Sequence, residues 1–315
     1  MNKSEVKNEE HNSFYENEEL TFKELIIILW KSKVSIILIT TIFAVSSVIY
    51  SLSLTNIYTS TAVLKVASNE NQSSISNLAG QYSGLANLAG ISLPSGGSAD
   101  KSTYVLATLK SNDFLKHIVE FDKVKENILA AKLYDPESQS IIYNEEVYIA
   151  EDDNWVRVAP PGRKQIPSYI EISESLKGNY RVNVDQVTKL ITISYTHLSP
   201  IFAYEFISLV ERELNNLTKF KDINESEKAL EYLYAQLELI QQKDIRNSIN
   251  QLIESQLKTN MMANIKSDYV VTVIDSPYIA EKRTSPRRSV ICILGTFIGG
   301  IFSIFFVLVR RFYNF

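Results

Sequence analysis

The sequence predicts an α+β protein: a mixed domain of strands and helices, a folded helical hairpin among them, held between two membrane-crossing helices. Three observations predict it. Val34–Leu54 and Ser289–Val309 are each 21 residues long and carry no charge, enough for a helix rising about 1.5 Å per residue to cross a hydrocarbon core of about 30 Å. Between them, runs such as Ile57–Val66 are rich in β-branched residues and alternate apolar with polar, the pattern of strands. Further along, Leu230, Leu233, Leu237 and Ile240 are spaced three-four-three, the seam of packed helices.

The segment between the crossings, Thr55–Arg288, has 25 Lys/Arg against 29 Asp/Glu. No basic excess is available to neutralise phosphates, so a nucleic-acid-binding surface is excluded by charge. Its 234 residues suffice to bury a core. Cys292, the only cysteine, lies in the second uncharged stretch, so no intrachain disulfide or cysteine metal site forms. His11, His117 and His197 stand apart from one another and read as satisfied or exposed histidines rather than ligands.

Taken in order, residues 1–19 hold six Glu against two Lys, and their low hydrophobicity predicts a disordered acidic tail. In Leu20–Lys33, Thr21 and Glu24 form a capping-box pattern and Trp30 sits where an interfacial aromatic anchors, which predicts an interfacial helix over residues 20–33. The first crossing, 34–54, starts after 33 residues, follows an acidic segment and is too long for the apolar region of a cleavable signal, so it reads as a signal anchor. Ile57–Val66 is predicted as a strand. Ala67–Asp100, rich in Ser, Asn and Gly, reads as a loop; NLAG occurs there twice, at Asn77–Gly80 and Asn87–Gly90, too short a match for a repeat.

Lys101–Phe121 is predicted as one amphipathic helix from Val105, Leu106, Leu109, Phe114, Leu115 and Ile118. Asp122–Gln165 reads as irregular and turn-rich. Three short strands are expected at Tyr169–Ser173, Tyr180–Val184 and Leu190–Tyr195, with Gly178-Asn179 as a hairpin turn. Ser199-Pro200 opens a helix, with a capping residue and then proline at the first position. A kink is expected near Lys221–Asn224. The polar run Gln241–Asp244 breaks the leucine seam, and Ile245, Ile249, Leu252, Ile253 and Leu257 resume a stripe up to about Asn264. Some 40 residues of helix from Glu225 would reach about 60 Å if straight. Strands on both sides of this region require the chain to return, so a hairpin fits better than a rod; its seam reads equally as the core of a compact helical pair or as a projecting surface packed against neighbouring subunits. Tyr269–Ile274 is the last strand. These readings divide the middle into a base, 55–198 with 268–288, and a helical region, 199–267; the second crossing is 289–309 and a tail 310–315 follows.

Chemistry-bearing motifs are few. No GxxxxGK[ST] loop, G-x-S-x-G or H-E-x-x-H motif occurs, so neither a P-loop kinase nor those hydrolase classes is indicated. Glu145, Glu146, Glu151, Asp152 and Asp153 lie near Trp155. Such carboxylates with an aromatic platform can serve glycoside chemistry, but a solvated loop is the ordinary reading of a charge run among turns. Gly295 and Gly299 form G-x-x-x-G, followed by Gly300; small residues one turn apart admit a close helix partner and are expected to serve transmembrane packing or oligomerisation. Charge does not decide the topology: five basic residues flank the crossings on the terminal side and five on the loop side.

Together these residues resemble the Wzz family, the chain length determinants or class 1 polysaccharide co-polymerases, from Leu20 to Arg311. Leu25, Leu29-Trp30, Lys31 and Lys33 before the first crossing, Tyr58-Thr59-Ser60 after it, the Gly84–Ile91 run and Leu109–Leu115 carry the likeness at the front. More specific is the C-terminal block: Met262-Ala263, Asp268-Tyr269, Val273-Ile274-Asp275, Pro277, and Ser285-Pro286-Arg287-Arg288 entering a glycine-containing crossing. The family's approach to that crossing is usually proline-rich; here Ala280-Glu281 stands where Pro-Glu is common.

The resemblance implies an inner-membrane protein with cytoplasmic termini and a periplasmic middle, in which a small α/β base near the membrane carries a long helical hairpin. It implies a homo-oligomeric ring that works beside a Wzy-type polymerase on the growing lipid-linked polysaccharide and sets the modal chain length of O-antigen, with no cofactor and no bond made or broken by this chain. The main rival is a capsule or exopolysaccharide co-polymerase that activates a separate tyrosine kinase; only Arg310–Phe315 follow the second crossing, a short tail for engaging one. A glycan-processing enzyme on two anchors is a third reading, without a catalytic constellation.

Overall fold

The computed structural model describes residues 29–67 and 98–313, and the chain divides into two compact units, Met1–Thr55 with Pro286–Phe315 and Asn56–Ser285. The expected acidic tail, most of the interfacial helix and nearly all of the Ser/Asn/Gly-rich stretch lie outside the described residues.

The first unit pairs α1 (Lys33–Ser53) with α8 (Arg288–Tyr313). Both are long and apolar enough to cross a membrane. Leucines, isoleucines and phenylalanines such as Leu38, Ile49, Phe297 and Phe305 are exposed along them, as suits helices whose solvent is lipid.

The second unit is built on an antiparallel sheet of four strands, in the order β6 (Tyr180–Val184), β7 (Ile191–His197), β1 (Tyr58–Val66) and β8 (Val271–Asp275). β1 (Tyr58–Val66) lies at its centre, paired with β7 (Ile191–His197) from Tyr58↔His197 to Leu64↔Ile191. Strict alternation puts Ser60, Ala62 and Leu64 on the buried face beside Ile191, Ile193, Tyr195 and His197. β6 (Tyr180–Val184) pairs with the other side of β7. The first half of α6 (Pro200–Leu239) covers the sheet with Phe202, Phe206, Ile207, Val210 and Leu214. Ser199 caps this helix as its sequence predicts, its Oγ accepting from Phe202 N at 3.2 Å.

Several local expectations give way. Lys101–Phe121 is two helices, α2 (Ser98–Lys110) and α3 (Asn112–Val119). Ser111 between them is extended and its Oγ accepts from Phe114 N at 3.1 Å, so a new N-cap ends one helix and starts the next. Asp122–Gln165 is more ordered than its turns suggested. It holds α4 (Val124–Leu129), a hairpin of β2 (Ala131–Asp135) with β3 (Ser140–Tyr143), and a short pair of β4 (Tyr148–Ile149) with β5 (Asn154–Trp155).

Tyr169–Ser173 is not a strand but the start of α5 (Tyr169–Asn179). Its apolar-polar alternation is overruled by Glu171, whose carboxylate accepts from Ser168 N at 2.9 Å and satisfies a free amide of the helix start. Gly178-Asn179 therefore ends a helix. The β6–β7 turn falls at Asp185–Leu190, where Asp185 Oδ1 accepts from the amides of Val187 and Thr188 at 2.7 and 3.0 Å.

α6 runs unbroken through Lys221–Asn224, where a kink was expected. It is followed, after an extended link at Ile240 and Gln242, by α7 (Lys243–Ile265). Chain return is completed by β8 (Val271–Asp275), paired antiparallel with β1, with a register shift between Val63 and Leu64.

Candidate functional site

Three assemblies hold the residues singled out from the sequence: the membrane-helix pair, the hairpin seam and the C-terminal approach.

In the helix pair, Gly295 and Gly299 face α1 of the same chain. A Cβ on Gly295 would lie 2.5 Å from Ser47 Cβ, and one on Gly299 would overlap Phe43 Cβ. Only glycine lets the two helices approach this closely. The G-x-x-x-G pair is thus used within one chain, while a Cβ on Gly300 would meet open space. Polar groups sew the same seam: Ser47 Oγ donates to Ile291 O at 3.1 Å and Thr40 Oγ1 to Ser303 Oγ at 3.4 Å. The Phe43 and Phe302 rings meet with centroids 5.7 Å apart, tilted by 40°. The motif was visible in the sequence; the Ser/Thr partners were not, since nothing in spacing alone says which helix they meet.

In the hairpin, Leu233, Ile249 and Ile253 form a buried cluster with Leu230, Leu237, Ile240 and Leu252 packed around it. Ser226 and Asn260 were not anticipated. Asn260 Nδ2 donates to the buried Ser226 Oγ at 3.3 Å and fixes the relative height of the helices. Arg246 secures the bend, its Nη1 donating to Leu237 O at 2.8 Å and Ile240 O at 2.9 Å, carbonyls that the end of α6 leaves free.

At the hairpin's base the buried Asn215 of α6 holds the returning strand. Its Oδ1 accepts from Val270 N and Val271 N at 2.9 and 3.1 Å, and its Nδ2 donates to Val271 O at 3.3 Å. One carboxamide takes the place of a neighbouring strand on the outer edge of β8. Tyr269 adds a bond from its hydroxyl to Asp222 Oδ2 at 2.7 Å, and burial, then this bond, pushes its pKa up.

The C-terminal motif residues do not converge into one pocket. Asp275 ends β8 opposite Val63, and Pro277 follows it in an extended run. Ser60 Oγ donates to Tyr278 O at 2.9 Å, and Ile57 N donates to Ser285 O at 2.9 Å, so this run is tied along β1. Pro286 and Arg287 lead into α8, where Arg287 O accepts from Val290 N at 3.0 Å.

Ionisable groups elsewhere are held by neighbours. His197 Nε2 meets Asn127 O at 2.9 Å and its Nδ1 accepts from Ser199 N at 3.1 Å; burial pushes its pKa down to about 4, so the ring is neutral. His117 Nε2 lies 2.9 Å from Glu213 Oε2, while Arg212 and Asn216 bond the other oxygen of Glu213. Arg157 binds Glu171 through two nitrogens at 2.7 and 2.9 Å, and with the Ser168 amide it draws that carboxyl down to about 2. In the acidic run near Trp155, Asp153 is paired with Lys123 at 2.8 Å. The Trp155 ring is buried against Tyr148 and Ala130 and offers no exposed platform. The arrangement is one of packed helices and satisfied charges.

The family model described as Wzz, chain length determinant protein, matches residues 18–120, and that described as GNVR, G-rich domain on putative tyrosine kinase, matches residues 235–312. The resemblance to the Wzz family is thus shown over the front of the chain, and the second match runs from the end of α6 through α7 and β8 into α8. No curated relative matches the sequence. Among solved structures it is similar to a full-length bacterial polysaccharide co-polymerase, at 14% identity and a TM-score of 0.44, covering 92% of this chain and 97% of that one. It is also similar to a fragment of WzzB, a polysaccharide co-polymerase from Salmonella Typhimurium, at 12% identity and a TM-score of 0.29, covering 73% of this chain and all of that one.

Proposed function

We propose that this chain, which carries the chain length determinant pattern ahead of a G-rich pattern, is a non-catalytic scaffold that sets the modal length of O-antigen made by a Wzy-type polymerase. The middle unit stands in the periplasm, the termini in the cytoplasm, and copies assemble into a ring. The observation that carries the reading is the Wzz match at residues 18–120, which spans the first membrane helix and the central strand of the sheet. A long hairpin packed on its own seam is a rigid arm suited to holding a polymerase or its product. The test is deletion of the gene followed by electrophoresis of surface lipopolysaccharide. Loss of the modal band with polymer still made supports the reading; an unchanged ladder refutes it.

One observation favours a second reading. The G-rich match at residues 235–312 carries a tyrosine-kinase description, which suits a capsule or exopolysaccharide co-polymerase coupled to a separate kinase. That reading predicts loss of high-mass capsular polymer and altered protein tyrosine phosphorylation in the deletion strain, with the O-antigen ladder intact.

A further inference from the structure

The apolar seam of the hairpin stops partway down. Leu233, Ile249 and Ile253, with Leu230 and Leu252, fill its distal part. Continued towards the sheet at the same three-four spacing, the seam meets Ser226 on α6 and Gln256, Asn260 and Ala263 on α7. Three of these are polar and the fourth is alanine, so this half buries little apolar surface between its own helices. An uncharged groove runs beside it. Residues seven apart keep to one side of a helix, drifting by only about 20°. Asp222 therefore shares a side of α6 with Ala229, and Lys266 shares a side of α7 with Thr259 and Leu252. The half-buried Lys101 of α2 shows that the two sides are neighbours: burial lowers its pKa, Asp222 opposes that fall and Lys266 adds to it. Lys221 Nζ donates to Tyr104 Oη at 3.2 Å, one turn further along α2. α2 thus starts at the foot of a groove between α6 and α7. Its walls at Ala229, Ser255, Thr259 and Met262 are half-buried and carry no charge.

The stretch of chain that joins β1 to α2, residues 68–97, lies outside the described residues, and both of its ends sit at this foot. It leaves at Ala67, whose N donates to Val270 O at 2.8 Å, next to the Tyr269 that bonds Asp222. It returns as α2, where Lys101 lies by Asp222 and Lys266. Residues 71–99 carry no charge, and Ile75, Leu78, Tyr82, Leu85 and Ala89 recur at three-four spacing, the edge of a helix that packs on others. The lengths agree. Extended, residues 68–74 reach about 23 Å up the hairpin. As a helix, residues 75–89 come down about 22 Å, and the groove from Leu252 to Lys266 is about 21 Å long. We propose that residues 75–89 seat this apolar edge in the groove as a third helix, antiparallel to α6. Gly80 and Gly84 weaken a helix in isolation, so its order depends on the groove. The lower half of the hairpin is then a three-helix bundle tied to the central strand of the sheet, and the turns beyond Leu252 stand on their own seam.

The test uses the full chain in native membranes on a Cys292→Ser background. A thiol at Thr259→Cys, in the groove, should react slowly with a charged maleimide. Adding Leu78→Asp and Leu85→Asp should speed that reaction roughly tenfold as the local cover is lost. A thiol at the exposed Glu254→Cys, on another side of α7, should react at one rate in both backgrounds. A second measurement fixes the occupant. Counted down the groove, Tyr82 comes level with Thr259, so Tyr82→Cys with Thr259→Cys should close a disulfide within one chain under a copper oxidant, seen as a reducible mobility shift of the monomer. Thr259→Cys reactivity that ignores both aspartates, with no disulfide formed, overturns the proposal. So does a link that forms only between chains when the two single-cysteine variants are mixed, because the groove then holds a neighbour's segment.

Discussion

Leu233→Ala tests the hairpin as a rigid arm. Leu233 is 2% exposed and packs with Ile249 and Ile253, the other fully buried members of the seam. Truncation removes buried methyl groups and leaves a void. Such changes cost about 2–5 kcal/mol, and a two-helix seam that can collapse around the void belongs at the low end, about 2–3 kcal/mol. The loss should be local, because the cluster is separate from the core that α6 shares with the sheet. Hydrogen exchange of the full chain in detergent should show protection falling about 30- to 150-fold in peptides from the distal half of α6 and from α7. Peptides from β1 and β7 should keep wild-type protection. Tyr232→Ala, on the exposed side of the same turn, should leave both regions unchanged. Protection lost equally from hairpin and sheet, or lost nowhere, would refute the claim that this cluster alone holds the distal hairpin together.

Three further outcomes follow from the same geometry. Gly299→Leu should separate α1 from α8 and lower the thermal stability of the membrane-embedded chain, whereas Gly300→Leu should be tolerated, since a Cβ there meets nothing; equal effects in a detergent melting assay would contradict the intrachain assignment. For His197, the folded pKa lies near 4 against about 6.5 unfolded. Between those values the unfolded chain binds the extra proton, so stability falls as pH drops from about 6.5 to about 4, by about 3 kcal/mol in all, and falls no further through this group below that. Urea titrations across that range should show this slope in the wild type, and it should flatten in His197→Gln. Asn215→Ala frees both amides and the carbonyl it bonds on the return strand, so exchange at Val270 and Val271 should quicken before that of β7; unchanged exchange there would show another group guarding the edge.

What the sequence made legible follows from where a signal is local. The two membrane helices, the Ser199-Pro200 helix start, the strands at Tyr58–Val66 and Ile191–His197 and the hairpin bend each rest on periodicity or capping within a few residues. Tyr169–Ser173 alternates like a strand, yet Ser168 and Glu171 form a helix start, and the arginine that completes the site is 14 residues back, at Arg157. The break at Ser111 was hidden because the apolar stripe continues across it in space while the backbone does not. Gly295 and Gly299 announce a close neighbour without naming it, and only the fold shows that neighbour to be α1. Asn215 gave no signal at all: its partners lie 55 and 56 residues away, across the whole hairpin.

The most direct test of the account is the electrophoretic ladder of surface lipopolysaccharide from strains with and without this gene. A scaffold that sets length without making bonds predicts that polymer persists in the deletion strain while the modal band dissolves into a smoothly declining distribution, and that the plasmid-borne gene restores the mode. A ladder identical in both strains would contradict the central claim.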